Sequence, residues 1–317
     1  MTQPFFSVII PVYNRAAALK KAIASVRAQT CQDFEIVVVD DGSHDNPAVT
    51  VTAIGDPRIR FFRQENGGGA AARNRAIDEA RGRFIAPLDS DDGFLPHHLA
   101  AMKALLEHTT DTVGYARIRV DRGEGCAFLK PPRALREGEH MANYLFCDRG
   151  FVPTITTVAP TEIARKVRYH PLRPAEDTDF AIRLFNAGCK FVMAERPGAV
   201  WRDIADPGRA SATRESSELE QWLEMMKTEI PSRAYHGGRG WAYAKLVSHV
   251  SRVAALRLYL TALVYRCYSP RLAMIILLQI LLDDNHYRTL ADNAIRWLGV
   301  GLSEKRLKPD ANLKAAA

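Results

Sequence analysis

Arg83-Phe-Ile-Ala-Pro-Leu-Asp89-Ser90-Asp91-Asp92 decides how this chain is read: a short apolar run stops abruptly on three carboxylates. An apolar run of four to eight residues, bounded by turn formers, fits a strand buried on both faces. Two runs upstream have the same form. Phe5-Phe-Ser-Val-Ile-Ile leads into Pro11-Val-Tyr13-Asn-Arg, and Phe34-Glu-Ile-Val-Val-Val ends on Asp40-Asp41-Gly-Ser. Between them, Ala16 to Gln29 carries Leu19, Ile23 and Val26 at helical spacing. Arg58 to Arg63 reads as a further short strand, and Gly67-Gly68-Gly69 opens an Ala-rich helix from Ala70 to Ala80 that stops at Gly82. Strand and helix in short cycles imply an α/β fold with a mostly parallel sheet flanked by helices. Such sheets hold ligands at the carboxyl ends of their strands, where these acidic and glycine clusters fall.

Downstream the rhythm loosens. Val113 to Asp121, Val152 to Ala159 and Lys190 to Ala194 read as strands, and Thr178 to Ala187 as a helix stopped by Gly188. Beyond Arg214 the pattern is helical: Glu215 to Glu229, Trp241 to Cys267, Leu272 to Leu282 and Asn285 to Leu298. The expected organisation is a ligand-binding half at 1–105, a second half of the same domain at 106–214, a helical extension at 215–306 and a loose tail at 307–317. With 47% hydrophobic and 25% charged residues among 317, the chain is globular in composition, not disordered or fibrous. The longest apolar run, Leu272 to Leu278, falls well short of the roughly 18 residues a membrane span needs. The first residues have no basic segment of a secretory signal, and the five cysteines are single and scattered, which suits a reducing cytoplasm.

The formal charge of +7 is unevenly spread. From Ile230 to Leu282 there is no Asp or Glu, yet Arg233, Arg239, Lys245, Arg252, Arg257, Arg266 and Arg271 are all present, with Tyr and Trp interleaved. A solvated helix pair normally mixes both signs. Anionic lipid headgroups or another polyanion are natural partners for such a segment, the alternative being a helical subdomain with its arginines in solvent.

Four constellations carry chemistry. Asp89, Asp91 and Asp92 repel one another unless something compensates them, and no basic residue stands beside them in the sequence. They offer hard oxygen ligands for Mg²⁺ or Mn²⁺; the competing role is to cap a helix running through His97 to Leu106. Asp40 and Asp41 form either an ordinary Asp-Gly turn or acceptors for a nucleobase or ribose. Asn66-Gly-Gly-Gly-Ala-Ala-Ala-Arg73-Asn74 lacks the GxGxxG spacing of a dinucleotide site, but its glycines allow close backbone approach and Arg73 can meet a phosphate or base. Glu176-Asp177-Thr-Asp179 opens a helix, where acids suit the dipole; the other role is a general base for a weakly nucleophilic hydroxyl.

Taken in order, Ser7-Val-Ile-Ile-Pro-Val-Tyr-Asn-Arg, Val39-Asp-Asp-Gly-Ser, Asn66 to Asn74, Leu88-Asp-Ser-Asp-Asp and Glu176-Asp177 resemble the family 2 glycosyltransferases, inverting enzymes with the GT-A fold, over about residues 5 to 195. The resemblance implies metal-dependent transfer of a hexosyl group from a nucleotide-sugar, a UDP-sugar by preference, to a saccharide hydroxyl. It places Pro11 and Tyr13 along the base, Asp41 with its neighbour Asp40 on the base, and Arg73 near base and diphosphate. Asp89 and Asp91 become the metal-binding DxD pair, extended by Asp92, and Asp177 becomes the catalytic base with Glu176 beside it. Where relatives often carry a histidine near the diphosphate, this chain has Trp201-Arg202-Asp203, so either Arg202 is expected in that role or Asp203 is expected to face the metal. The expected acceptor is a lipid-linked oligosaccharide of exopolysaccharide, capsule or lipopolysaccharide synthesis, at the inner face of the cytoplasmic membrane, with no nucleic-acid partner. A processive synthase is disfavoured for want of membrane spans. The competing reading is a catalytically inactive nucleotide-binding or membrane-surface protein on the same scaffold.

Overall fold

The structure, a computed structural model, describes residues 3–123, 126–172, 175–203 and 216–298, without the side chains of residues 202, 216 and 296–298. Its first part alternates β1 (Phe6–Val12), α1 (Ala16–Arg27), β2 (Phe34–Asp40), α2 (Pro47–Ile54), β3 (Ile59–Arg63), α3 (Gly69–Glu79) and β4 (Phe84–Pro87). Next come α4 (His98–Leu106), β5 (Thr112–Asp121), β6 (Ala127–Lys130), α5 (Met141–Cys147), β7 (Ala159–Pro160), α6 (Thr161–Val167), α7 (Glu176–Asn186) and β8 (Lys190–Arg202). The C-terminal part is helical: α8 (Ser216–Met226), α9 (Ser232–Gly238), α10 (Ala244–Val247), α11 (Arg252–Val264), α12 (Pro270–Leu281) and α13 (Asp284–Leu298).

Two sheets form the frame. In the first the order is β3-β2-β1-β4-β7, with β3, β2, β1 and β4 parallel and β7 antiparallel to β4. Every residue of β2 and β4 is buried, which is why both read as unbroken apolar runs and not as alternating ones. In the second sheet β5 lies between antiparallel β6 and parallel β8. An isolated bridge from Phe94 to Ala199 ties the loop after β4 to β8, bringing the ends of both sheets to one side.

A tight backbone-to-backbone point of the frame is Gly82, just before β4. A Cβ there would lie 2.5 Å from both the Phe6 carbonyl carbon and the Ser7 nitrogen. The Gly82 N–H donates to Ser7 Oγ at 2.7 Å, and that hydroxyl donates to buried Glu35 at 2.6 Å. Gly82→Ala must therefore push β1 from β4 or break this network. Overpacking of this kind costs up to about 3 kcal/mol, so a markedly lower urea midpoint with an unchanged m-value is expected; an unaltered midpoint would mean the strands can part freely.

Three expectations are corrected. Val152 to Ala159 is not one strand: Pro153 precedes a 3-10 turn at Thr154–Thr156, and pairing is confined to a bridge from Val158 to Gly114 and to Ala159–Pro160. The threonine hydroxyls compete for backbone groups there, Thr157 donating to the Pro153 carbonyl at 2.8 Å and Thr156 to Ala116 at 2.8 Å. Trp241 to Cys267 is not one helix. A π-helical turn at Arg239–Tyr243 passes into α10, and α11 starts afresh from Ser251, whose hydroxyl accepts the Ala254 N–H at 3.2 Å. Lys190 to Ala194 is only the first part of β8, whose pairing with β5 runs on past an irregularity between Ala116 and Ile118.

The helical extension does not stand apart from the sheets. Trp222, Tyr235, Tyr259, Leu272 and Ile276 share one apolar cluster with Tyr115, Tyr144 and Ile182 of the second half. Gly240 permits the close approach of α11 to the π-helical turn, since a Cβ there would lie only 2.4 Å from Ala262 Cβ.

Candidate active site

The carboxyl ends of β1, β2 and β4 deliver the first residues. Pro11 lies near the end of β1 and is partly buried, whereas Tyr13 in the following loop is 46% exposed and available as a ring surface. Asn14, at φ 51°, staples that loop to the turn after β2: its N–H donates to Ser43 Oγ at 2.9 Å and its Oδ1 accepts the His44 N–H at 2.8 Å. Asp40 is fully buried, accepts the Ser43 N–H at 2.9 Å and faces Arg63 at 3.3 Å.

Asp41 is buried and organises the glycine loop. Its carboxylate accepts Gln64 Nε2 at 2.8 Å, the Gly67 N–H at 2.9 Å and the Gly68 N–H at 2.8 Å. Gly68, at φ 86°, adopts the left-handed geometry that lets consecutive amides converge on one carboxylate and then opens α3. Asp40 and Asp41 thus shape the turn and the loop in this structure.

Arg73 of α3 ties the site together. It is largely buried, donating from one terminal nitrogen to Asp89 at 2.6 Å and from the other to Glu176 at 2.7 Å, with its guanidinium 5.5 Å from the Tyr169 ring centre. Asp91 pairs with Arg15 from the loop before α1. The DxD carboxylates, which have no basic neighbour in sequence, therefore each meet an arginine in space. Neither Asp91 nor Asp92 caps α4, whose N-cap is His97.

Glu176 and Asp177 occupy the first turn of α7, after Ala175 as N-cap. Asp177, beside Thr154, has its carboxyl raised above its ordinary range by burial, opposed by Arg73 and reinforced by Asp89. Burial likewise lifts Glu176 to about 7 against the pull of Arg73. Asp179, on the same turn, faces away from this group. It is buried, accepts Trp222 Nε1 at 2.9 Å and pairs with Arg183, locking the extension to α7.

Asp203 pairs with Arg122 at 2.8 Å, and Arg122 also reaches Asp292 of α13 at 2.6 Å. Arg202 ends β8, but its side chain lies outside the described residues. Sequence reasoning does not single out Arg15, Thr154 or Tyr169. Arg15 directly follows the Pro11–Asn14 motif and so carries a signal of position; Thr154 and Tyr169 carry none. Among the described residues no group of three or more His, Cys, Asp or Glu side chains is placed to hold a metal ion. Asp89 and Asp91 still suit Mg²⁺ or Mn²⁺, which use one or two protein carboxylates and complete their shells with water and phosphate oxygens.

Comparison with known proteins places these features. A family model described as Glycosyl transferase family 2 matches residues 7–155. The amylovoran biosynthesis glycosyltransferase AmsB of Erwinia amylovora is 28% identical over 240 residues, 72% of this chain and 79% of that protein. Three uncharacterized glycosyltransferases of Rickettsia match at 30–32% identity, and the chain spans only 27–31% of their length. Among solved structures, S. aureus TarS 1–349 in complex with UDP-GlcNAc aligns with a TM-score of 0.58 at 16% identity, over 92% of this chain and 91% of that one. The mannosyltransferase PcManGT of Pyrobaculum calidifontis, in complex with GDP-Man and Mn²⁺, aligns with a TM-score of 0.54 at 17% identity, over 97% of this chain and 83% of that one. At such identities the structural likeness establishes the fold, and that fold is GT-A.

Proposed function

Because the chain belongs to glycosyl transferase family 2, we propose that it moves a sugar from a nucleotide-sugar, by preference a UDP-sugar, to a saccharide hydroxyl with inversion at the anomeric carbon. The observation that supports this most is the Arg73 bridge, which holds Asp89 and Glu176 on one guanidinium and so sets the donor carboxylates beside the base motif. In this reading Pro11 and exposed Tyr13 flank the base. Asp40 and Asp41 fix the glycine loop so that its backbone and Arg73 can approach the diphosphate. Arg15 and Arg73 supply positive charge where the leaving nucleoside diphosphate gathers negative charge. Asp89 and Asp91 would hold a divalent cation, which supplies Lewis-acid charge neutralisation when bound. Asp177 takes the acceptor proton as the new bond forms on the face opposite the leaving group.

The acceptor in this reading is a lipid-linked oligosaccharide of polysaccharide synthesis. AmsB, named for amylovoran biosynthesis, supports that class of pathway. Incubating the purified chain with Mn²⁺ and a panel of UDP- and GDP-sugars, and reading released nucleotide, tests the donor assignment. Nucleotide release from none of them would favour the non-catalytic binding reading.

Attachment to an anionic membrane surface at the inner face of the cytoplasmic membrane is part of the same proposal. No helix among the described residues is long and apolar enough to cross a membrane. Of the seven cations in 230–282, Arg239 pairs with Glu224 and Lys245 with Asp284, whereas Arg252, Arg257, Arg266 and Arg271 are exposed without an ion pair to a described residue. Val253, Arg257, Leu260 and Val264 follow one face of α11, and Arg271, Met274, Leu278 and Leu281 one face of α12; all are exposed. Exposed apolar stripes edged by arginine suit a headgroup layer. At about 1 kcal/mol per surface cation, replacing all four exposed arginines with Gln should weaken pelleting with anionic vesicles roughly hundreds-fold. Unchanged pelleting of that variant, or none by the unmodified chain, would leave the face without this role.

A further inference from the structure

Lys130, the last residue of β6, sits in an unusual setting. Its Nζ lies 5.8 Å from the Phe128 ring centre, 5.7 Å from Phe151 and 5.6 Å from Trp201. Phe151 and Trp201 are themselves stacked, with centroids 6.4 Å apart. Among the described residues no carboxylate or carbonyl hydrogen-bonds or pairs with this ammonium, although Arg122, Arg149 and Lys245 all stand close enough to repel it. Asp203, the negative charge that pulls on it among the described residues, is already paired with Arg122 at 2.8 Å. A half-buried cation among aromatic walls and other cations keeps only part of its hydration and gains only the ring faces in return. Burial and the adjacent Arg122 bring Lys130 down to about 8, the direction expected of an ammonium short of counter-charge.

The place of this group gives it meaning. Phe128, Phe151 and Trp201 pack against the small apolar cluster of Ile118, Val120, Ile155 and Ala199, and the residue before Ile155, Thr154, stands beside Asp177. Trp201 leads directly to the end of β8, where Asp203 meets Arg122 and, through it, α13 of the extension. The aromatic enclosure therefore shares its apolar cluster with Ile155, next in sequence to the Thr154 that stands beside the proposed base, at the junction of the sheets with the helical extension. Apolar walls with one convergent polar group are the usual make-up of a small-ligand subsite. Flat ring faces suit the C–H face of a sugar, and the unpaired ammonium calls for an oxyanion.

We infer that Phe128, Phe151, Trp201 and Lys130 form an acceptor subsite that takes a sugar bearing an oxyanion, with the ring against Trp201 and Phe151 and the anion on Lys130. This rests on the glycosyltransferase reading above, since it gives Asp177 an acceptor to act on. The oxyanion has two possible sources, a phosphate linking the sugar to its carrier or the carboxylate of an acidic sugar.

Calorimetric titration of the full chain saturated with UDP separates them, using glucose 1-phosphate, methyl β-glucuronide and neutral methyl β-glucoside as probes. At least one anionic probe should bind ten times more tightly than the glucoside. The probe that gains identifies the source. In Lys130→Met that advantage should shrink to within twofold, and Lys130→Arg should keep most of it. Equal binding of all three probes, or an advantage that survives Lys130→Met, overturns the subsite. If Lys130→Met does not fold, Arg149→Gln on the exposed rim carries the test, with a two- to fivefold loss of anion affinity expected and no loss counting against it. The same titrations judge the underlying reading separately. If UDP itself fails to bind, the donor assignment falls, while the anionic and neutral probes compared without UDP still decide the subsite.

Discussion

Asp177→Asn should leave UDP bound with near-normal affinity and lower turnover by about a thousandfold, within the 10²–10⁴ range that a positioned general base contributes. The substitution keeps the size and one oxygen of the side chain, but it removes the lone-pair basicity that takes the acceptor proton. Arg73 is held by Asp89 and Glu176, and Asp177 in the first turn of α7 feels that guanidinium and Asp89 only through space, so nucleotide binding should depend little on its charge. The pH dependence carries the same assignment. Burial raises the Asp177 carboxyl above its ordinary range. The reactive form is deprotonated, so turnover should fall on acidification, beginning at a higher pH than a solvent-exposed aspartate would give. Stopped assays with a competent donor and acceptor, read as kcat against pH, measure both effects. Normal turnover in Asp177→Asn with a dead Glu176→Gln would move the base to Glu176, which burial lifts to about 7. A parallel loss of UDP affinity would instead make Asp177 a structural group.

The parts legible in sequence are those whose signals are local. β1, β2 and β4 are sandwiched between helices, so each had to be a continuous apolar run, and each leads into candidate site residues. Helix α2 gives no such signal, because Pro47-Ala-Val-Thr-Val-Thr-Ala-Ile is β-branched and almost without amphipathic period; it forms under the Pro at its start and against α1. The extension looks like long helices in sequence because its apolar content is nearly uniform, and the break before Arg252 depends on a single serine cap. At the site, order and spacing bring Asp89, Asp91, Arg73, Glu176 and Asp177 into view. Their pairings cannot be read, since Arg73 reaches 16 residues forward to Asp89 and 103 to Glu176. Asp41 shows the limit most clearly: a carboxylate at a strand end looks like a ligand for a base, yet here it holds Gln64, Gly67 and Gly68. Hydrogen bonds of this kind have no period or composition to reveal them.

Chelation with EDTA should abolish transfer, Mn²⁺ or Mg²⁺ should restore it, and Asp91→Asn should cost about a thousandfold in turnover, the equivalent of roughly 4 kcal/mol of transition-state stabilisation. The structure makes this a sharp test, because it also offers a different source of charge. Arg15 on Asp91 and Arg73 on Asp89 already bring two guanidiniums to the place where a nucleoside diphosphate would depart. With Arg15 on Asp91, and Arg73 on both Asp89 and Glu176, little net positive charge is left for a leaving group. An added divalent ion would take over the carboxylates and release the arginines toward the phosphates, so both devices would then act in the same direction. Arg15→Met would on this account strengthen Mn²⁺ binding several-fold, since Asp91 loses a competing partner, while lowering turnover. Full transfer in EDTA together with a dead Arg15→Met would mean that the arginines alone carry the leaving-group charge and that Asp89 and Asp91 serve to hold them. Weaker Mn²⁺ binding in Arg15→Met, read by calorimetry on the purified chain without donor, would show that Arg15 orders Asp91 for the metal and does not compete with it.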